Sequence, residues 1–96
     1  MISIDYVKKH LRIEHDEEDD LLISYTKASE EIVQIYLNQS FEDLLTTHGS
    51  IPHAIRNAVC MLVGSMYRDR EATSVTTITT TPTVVALLKP FKKIIK

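Results

Sequence analysis

The densest group of side chains that could do chemistry is an acidic run at residues 14–20. Six of the seven residues in EHDEEDD are aspartate or glutamate, a composition that suggests a cation site. A calcium loop of the EF-hand type needs ligands at alternating positions and a central glycine, and this run has neither. Asp16 is instead a suitable N-cap, and the acids after it suit the first turn of a helix, where the helix dipole favours negative charge. The run therefore predicts a helix start.

The histidines and the single cysteine form no catalytic or metal-binding pattern. His10, His15, His48 and His53 contain no pair at the i, i+4 spacing of a helical zinc site. Cys60 lies in an uncharged segment, where a thiolate is disfavoured, and one cysteine cannot form an internal disulfide. Two glycines are too few for a phosphate-binding loop. We therefore predict no enzymatic activity, no metal and no cofactor.

The composition favours one helical domain over residues 1–96. Hydrophobic residues make up 44% and charged residues 25%, as in globular proteins. Only 2 glycines and 3 prolines disfavour a turn-rich β-sandwich. No apolar run approaches the roughly 20 residues of a membrane span, and the N-terminus lacks a secretory signal. These features predict a protein of the reducing cytoplasm with no membrane partner.

Helical periodicity predicts an all-α fold, a small bundle of two long helices at about residues 17–37 and 51–70. Short helices are expected at 3–11 and 82–88, and a further helical turn is expected after a capping box at Ser40. The intervening residues 72–81 are rich in threonine, with Val75 and Ile78 as their only large apolar side chains. A lone strand is not stable, so this tract is either a plain loop or a hairpin ordered by assembly.

The two long helices have different apolar patterns. In the first, the predicted core stripe is Leu21, Tyr25, Ala28, Ile32 and Ile35/Tyr36, widened by Leu22, Ser29 and Val33, whereas Ile23 falls near the polar face. In the second, residues 58–67 carry no charge at all. A helix that is apolar nearly all round is either the central helix of its domain or is covered by a second subunit.

Charge is distributed unevenly along the chain. Residues 1–48 carry four basic and eleven acidic side chains, whereas residues 49–96 carry seven basic and two acidic ones. Either the two halves fold together and neutralise each other, or copies of the chain attract one another head to tail. The C-terminal lysines could also touch DNA phosphates, but no helix carries the basic and amide face of a sequence-specific reader.

Three segments, in order along the chain, resemble the family of phage head–tail connector proteins. SIDYVKKHLRIEHDEEDDLL resembles the family's short first helix and acidic turn into a long helix. IPHAIRNAVCMLVGSMYRDRE resembles its apolar helix with an aromatic-x-x-Arg-Glu end, and TVVALLKPFK resembles its short last helix. The threonine-rich tract has more β-branched residues than this resemblance leads us to expect.

The resemblance implies a structural role in a long-tailed phage or prophage. Such proteins form rings of about a dozen subunits beneath the portal, join the DNA-filled head to the tail and help retain the genome. Expected partners are other copies of the chain, the portal protein and tail-completion proteins, with non-specific DNA contact in the channel. The expected location is the head–tail junction of the virion, and the host cytoplasm during assembly. No cofactor is implied.

A ring needs two different faces that meet, and the uneven charge suggests where they lie. We expect an acidic residue of the 14–20 run to approach Arg68, Arg70 or the tail lysines of a neighbour, with affinity supplied by exposed apolar groups. The candidate interface residues are Asp16, Glu17, Glu18, Asp19, Asp20, Ile23, Arg68, Arg70, Val75, Ile78, Phe91, Lys92 and Lys93. The competing hypothesis is a small helical adaptor or regulatory protein that dimerises through its apolar second long helix.

Overall fold

A computed structural model describes residues 2–69 and 82–93, and every regular element in these ranges is a helix. The elements are α1 (Ile4–Leu11), α2 (Asp19–Leu37), α3 (Phe41–His48), α4 (His53–Asp69), α5 (Pro82–Leu88) and a 3-10 turn (Lys89–Phe91). The all-α prediction is therefore confirmed, including both long helices to within about two residues. The threonine-rich tract at 72–81 lies outside the described residues, as do Arg70, Val75 and Ile78.

Helix α4 is the centre of the fold. It packs against α1, α2 and α5, which together cover its apolar surface. Its fully or almost fully buried side chains are Ile55, Ala58, Val59, Cys60, Leu62 and Val63. The sequence left open whether the uncharged residues 58–67 belong to the central helix of the domain or are covered by a second subunit. The structure therefore supports the central helix. Because these side chains are already covered within the subunit, α4 gives no reason to expect dimerisation through it.

The buried face of α2 differs in part from the predicted stripe, and the prediction is wrong for the stripe residues that are not buried. The buried residues of α2 are Leu22, Thr26, Ser29, Glu30, Val33, Tyr36 and Leu37. Leu21, Tyr25, Ala28 and Ile32 lie beside this face and are only half-buried, and Ile35 is 64% exposed. Tyr36 of the predicted stripe is buried, and so are the residues predicted to widen it, Leu22, Ser29 and Val33. Leu37 and the polar residues Thr26 and Glu30 complete the buried face.

Hydrogen bonds allow polar residues to lie on this buried face. The Thr26 hydroxyl donates to the Leu22 carbonyl at 2.7 Å, one turn back in the same helix. The Glu30 carboxylate accepts from the Ile2 backbone N–H at 2.9 Å and so fastens the N-terminal segment onto α2. A polar group that is hydrogen-bonded can be buried at little cost. These bonds cannot be read from the hydropathy pattern, so that pattern predicts the neighbouring apolar stripe as the buried face of α2.

Side chains cap two of the described helices, and one of these caps, at Ser40, is predicted from the sequence. Ser3 caps α1, with its side chain accepting from the Tyr6 backbone N–H at 3.2 Å. Ser40 and Asp43 form the predicted capping box of α3, with bonds of 3.1 and 3.2 Å in the two directions. The predicted cap at Asp16 is wrong. Helix α2 begins two residues later than expected, after a turn at residues 16–18, and its N-terminus has no side-chain cap.

Candidate assembly surfaces

The acidic residues at the start of α2 are organised by one lysine of α1. Lys8 lies on the last turns of α1, and its ammonium donates to Asp16 at 2.6 Å and to Asp19 at 2.8 Å. The Lys8 side chain is only 12% exposed, whereas that of Asp16 is 88% exposed. Asp16 thus lies in the turn before α2 and is paired with Lys8, where the sequence predicts a helix cap.

The Lys8–Asp16 pair shifts the pKa of both side chains. Hydrogen bonding to Asp16 raises the pKa of Lys8, and hydrogen bonding to Lys8 lowers the pKa of Asp16 below its ordinary value of 3.8. Because the folded pKa of Asp16 is depressed, the pair stabilises the fold above the unfolded pKa. That contribution is lost as the pH falls through the lower folded pKa.

We predict that Lys8→Met returns the Asp16 carboxyl to its ordinary pKa. In the wild type, NMR titration of the Asp16 side-chain carbon should give a midpoint below 3.8, because the charged form is hydrogen-bonded. In Lys8→Met the midpoint should rise toward that value, whereas Lys9→Met, one residue away on the exposed face of α1, should leave it in place. Equal titrations in all three proteins would contradict the Lys8–Asp16 contact.

The acidic end of the molecule also touches the end of α4. The Tyr67 hydroxyl donates to the Glu18 carboxylate at 2.8 Å, a contact between residues 49 positions apart. The exposed Arg68 follows Tyr67 in α4 and lies on the same end of the molecule. We call the surface formed by Asp16, Glu17, Glu18, Asp19 and Asp20 the acidic end. Within one subunit it lies beside Arg68 rather than opposite it.

A second charged surface lies at the other end of α2. The 3-10 turn and the two residues after it bring Lys89, Lys92 and Lys93 to the end of α2, and all three side chains are exposed. The Lys92 ammonium sits 4.5 Å from the ring centroid of Tyr36. We call these three lysines the basic end. Helix α2 has 19 residues, and at 1.5 Å per residue the acidic and basic ends are roughly 28 Å apart.

Backbone contacts fix the basic end in place. The Lys93 N–H donates to the Leu37 carbonyl at 2.8 Å, and the Asn38 side-chain amide donates to the Lys93 carbonyl at 2.9 Å. Gln39 also donates to the carbonyl of Phe91, and the half-buried Phe91 ring meets His48 edge to face at 5.8 Å. The segment before residue 94 therefore docks on its own subunit. Phe91, predicted to be an intersubunit contact, is partly used within the fold.

Three large apolar side chains are at least one-third exposed among the described residues. They are Ile23 at 38%, Ile35 at 64% and Leu45 at 36%. Ile23 was predicted to lie near the polar face of α2, and the structure places it there. Ile35 is the residue that sequence reasoning missed as a surface group, since periodicity assigned it to the core. Glu31, one helical turn before Ile35, is exposed on the same side of α2.

A groove of about 500 Å³ runs between α1 and α4. Its floor is apolar, formed by Leu11, Met61 and Gly64, and its rim carries His10, Arg12 and Arg68, with Tyr67 at one side. A β-carbon at Gly64 would lie only 3.0 Å from a methyl of Leu11, so the glycine lets α1 approach α4 closely here. We call this surface the basic groove. Its volume falls in the range of binding clefts, about 300–1,000 Å³.

The single cysteine lies in the core of the fold. Cys60 is fully buried, and desolvation raises the pKa of its thiol to about 11. Such a thiol is a poor nucleophile at neutral pH. Within residues 2–69 and 82–93, no three His, Cys, Asp or Glu side chains are placed to hold a metal ion. No helix in the same ranges is long and apolar enough to cross a membrane.

The predicted interface residues that the structure describes thus fall into two separated groups. The acidic end, Arg68 and the nearby Ile23 lie toward the start of α2, whereas Phe91, Lys92 and Lys93 lie at its far end. Lys8, Ile35 and the basic groove were not among the predicted sites. The role of Lys8 could not be predicted because its partners, Asp16 and Asp19, lie outside α1 and meet it only in the folded chain.

Comparison with known proteins gives one family. A model described as Phage gp6-like head-tail connector protein matches residues 1–96. Comparisons with curated proteins and with solved structures give no match.

Proposed function

Because the chain belongs to the family of phage gp6-like head-tail connector proteins, we propose that it assembles into a ring of about a dozen subunits between portal and tail. The observation that carries the proposal is the family match over residues 1–96. In this role the protein is a structural part of the virion at the head–tail junction. It works without chemistry of its own and is made in the host cytoplasm before assembly.

The separation of charge supports a ring in particular. A ring closes through a heterologous contact, in which one surface of a subunit meets a different surface of the next. The acidic and basic ends lie at opposite ends of α2, so they are two different surfaces of opposite sign. Charges at such a contact set the register and the rate of association more than the affinity. Of the two basic partners expected for the acidic residues, the tail lysines therefore suit a ring better than Arg68.

The exposed lysines of the basic end also suit a role in genome retention. A ring repeats Lys89, Lys92 and Lys93 in every subunit, so those of the lysines that do not pair with a neighbour's acidic end could line the channel and attract DNA phosphates without reading sequence. Contact with the portal on one side and tail-completion proteins on the other then completes the junction.

The experiment is mass measurement with and without the portal. Light scattering after size exclusion should show a species of about a dozen subunits, formed by the chain itself or in the presence of purified portal protein. Added salt should weaken the assembly, because screening reduces attraction between the charged ends. A stable dimer that ignores the portal would instead support the adaptor hypothesis and overturn the ring.

A further inference from the structure

The basic groove has the chemistry of a site for an acidic and apolar helix turn. Its rim offers the guanidinium groups of Arg12 and Arg68, and its floor offers Met61 and Leu11. A partner that filled it would need at least one carboxylate and one aliphatic side chain close together. Because apolar area supplies affinity and charge supplies orientation, neither group alone would match the groove.

One exposed turn of the same chain has this combination. Glu31 and Ile35 are one turn apart on α2, both are exposed, and Ile35 is 64% exposed. Ile35 lies two residues from Val33 and from Leu37, both fully buried. At 100° per residue, Ile35 therefore projects from the side of α2 opposite the core.

The groove and this turn face opposite sides of the molecule. Met66 of α4 contacts Ser29 of α2, with its sulfur 4.0 Å from the serine hydroxyl oxygen. Gly64 lies two residues before Met66, about 160° away around the helix, so the groove opens on the side of α4 turned away from α2. Two unlike surfaces on opposite sides are the geometry that a heterologous contact requires.

We propose that the Glu31–Ile35 turn of one subunit docks in the basic groove of the next copy of the chain. Ile35 contacts Met61 and Leu11 on the floor, and the Glu31 carboxylate pairs with Arg68 on the rim. This inference rests on the proposed ring, because it names the surfaces through which neighbouring subunits meet. The acidic end is the weaker occupant, since it lies beside the groove on its own subunit. If the acidic end of one subunit bound the basic groove of another, the same end of both subunits would meet. Such a contact would favour a closed dimer.

Charge reversal tests the pairing in the full-length chain. The wild type should self-associate in sedimentation experiments between about 10 μM and about 1 mM. Glu31→Arg and Arg68→Glu should each weaken association about tenfold, because each places like charges together. The double variant carries both reversals in every subunit, so it should recover most of the wild-type association. Glu42→Arg, which reverses an exposed acid on α3, is the matched control and should have little effect.

Ile35 supplies the apolar half of the test. Ile35→Ser should weaken association about tenfold or more, since burial of an isoleucine is worth that much. Ile23→Ser, at the other exposed isoleucine of α2, should not. Circular dichroism of each variant confirms that the fold is intact. Failure of the double variant to recover, or a larger effect at Ile23 than at Ile35, would overturn this docking.

The outcomes also separate this inference from the ring itself. A wild-type chain that stays monomeric up to about 1 mM would overturn the groove as an intrinsic contact. The ring would then be decided by the portal experiment alone. If the portal draws both the wild type and Glu31→Arg into rings equally well, the connector role stands and the proposed docking does not.

Discussion

Replacing Leu22 with alanine is expected to lower the free energy of unfolding by about 2–5 kcal/mol, the usual range for a leucine removed from a packed core. Leu22 is fully buried on the inner side of α2, so its neighbours lose contacts around the cavity. The matched variant Ile35→Ala lies on the same helix. It should change the free energy of unfolding by less than about 0.5 kcal/mol, because the isoleucine is 64% exposed.

Urea unfolding followed by circular dichroism measures both variants. The comparison is informative because sequence periodicity alone ranks the two residues the other way, with Ile35 in the main stripe and Leu22 at its margin. If Ile35→Ala lowered the free energy of unfolding more than Leu22→Ala, Ile35 rather than Leu22 would face the core. Ile35→Ala should instead weaken self-association, so the two variants separate folding from assembly.

The α2 helix shows how far the sequence predicts the fold. Its length and type follow from spacing, since apolar groups recur every three to four residues over five turns. Its rotation about its own axis does not follow, because α2 carries apolar side chains over more than half of its circumference. Thr26 and Glu30 can lie on the buried face because they are hydrogen-bonded, Thr26 to the Leu22 carbonyl and Glu30 to the Ile2 N–H, and neither bond can be read from the spacing of apolar residues.

The candidate surfaces, like α2, can be predicted from the sequence only in part. The acidic run and the C-terminal lysines are predictable from charge alone, because most charged side chains lie at the surface. Charge counting does not predict that Glu18 contacts Tyr67 or that Asp16 contacts Lys8, since each contact joins the turn before α2 to a residue of another helix. The basic groove could not be predicted from the sequence either, because it forms only where Gly64 lets α1 approach α4. Residues that become neighbours through packing carry no local signal.

The basic end depends on one residue with an unusual backbone. Asn38 ends α2 with φ of 58°, a left-handed conformation that most residues adopt only with strain. Its side chain also donates to the Lys93 carbonyl at 2.9 Å. Asn38 is thus a helix terminator and a clamp for the C-terminal segment at once, and these two roles can be separated by substitution.

We expect Asn38→Ala to lower the free energy of unfolding by about 2–3 kcal/mol, the sum of left-handed strain and one lost hydrogen bond. Asn38→Gly should cost only about 1 kcal/mol, because glycine adopts the same backbone conformation freely and loses the hydrogen bond alone. In both variants the Lys93 amide should exchange faster with solvent, since its bond to the Leu37 carbonyl depends on the docked segment. Equal costs for alanine and glycine would show that the positive φ contributes nothing. Unchanged exchange at Lys93 would show that Asn38 does not hold the segment, and the position of the basic lysines would then need another cause.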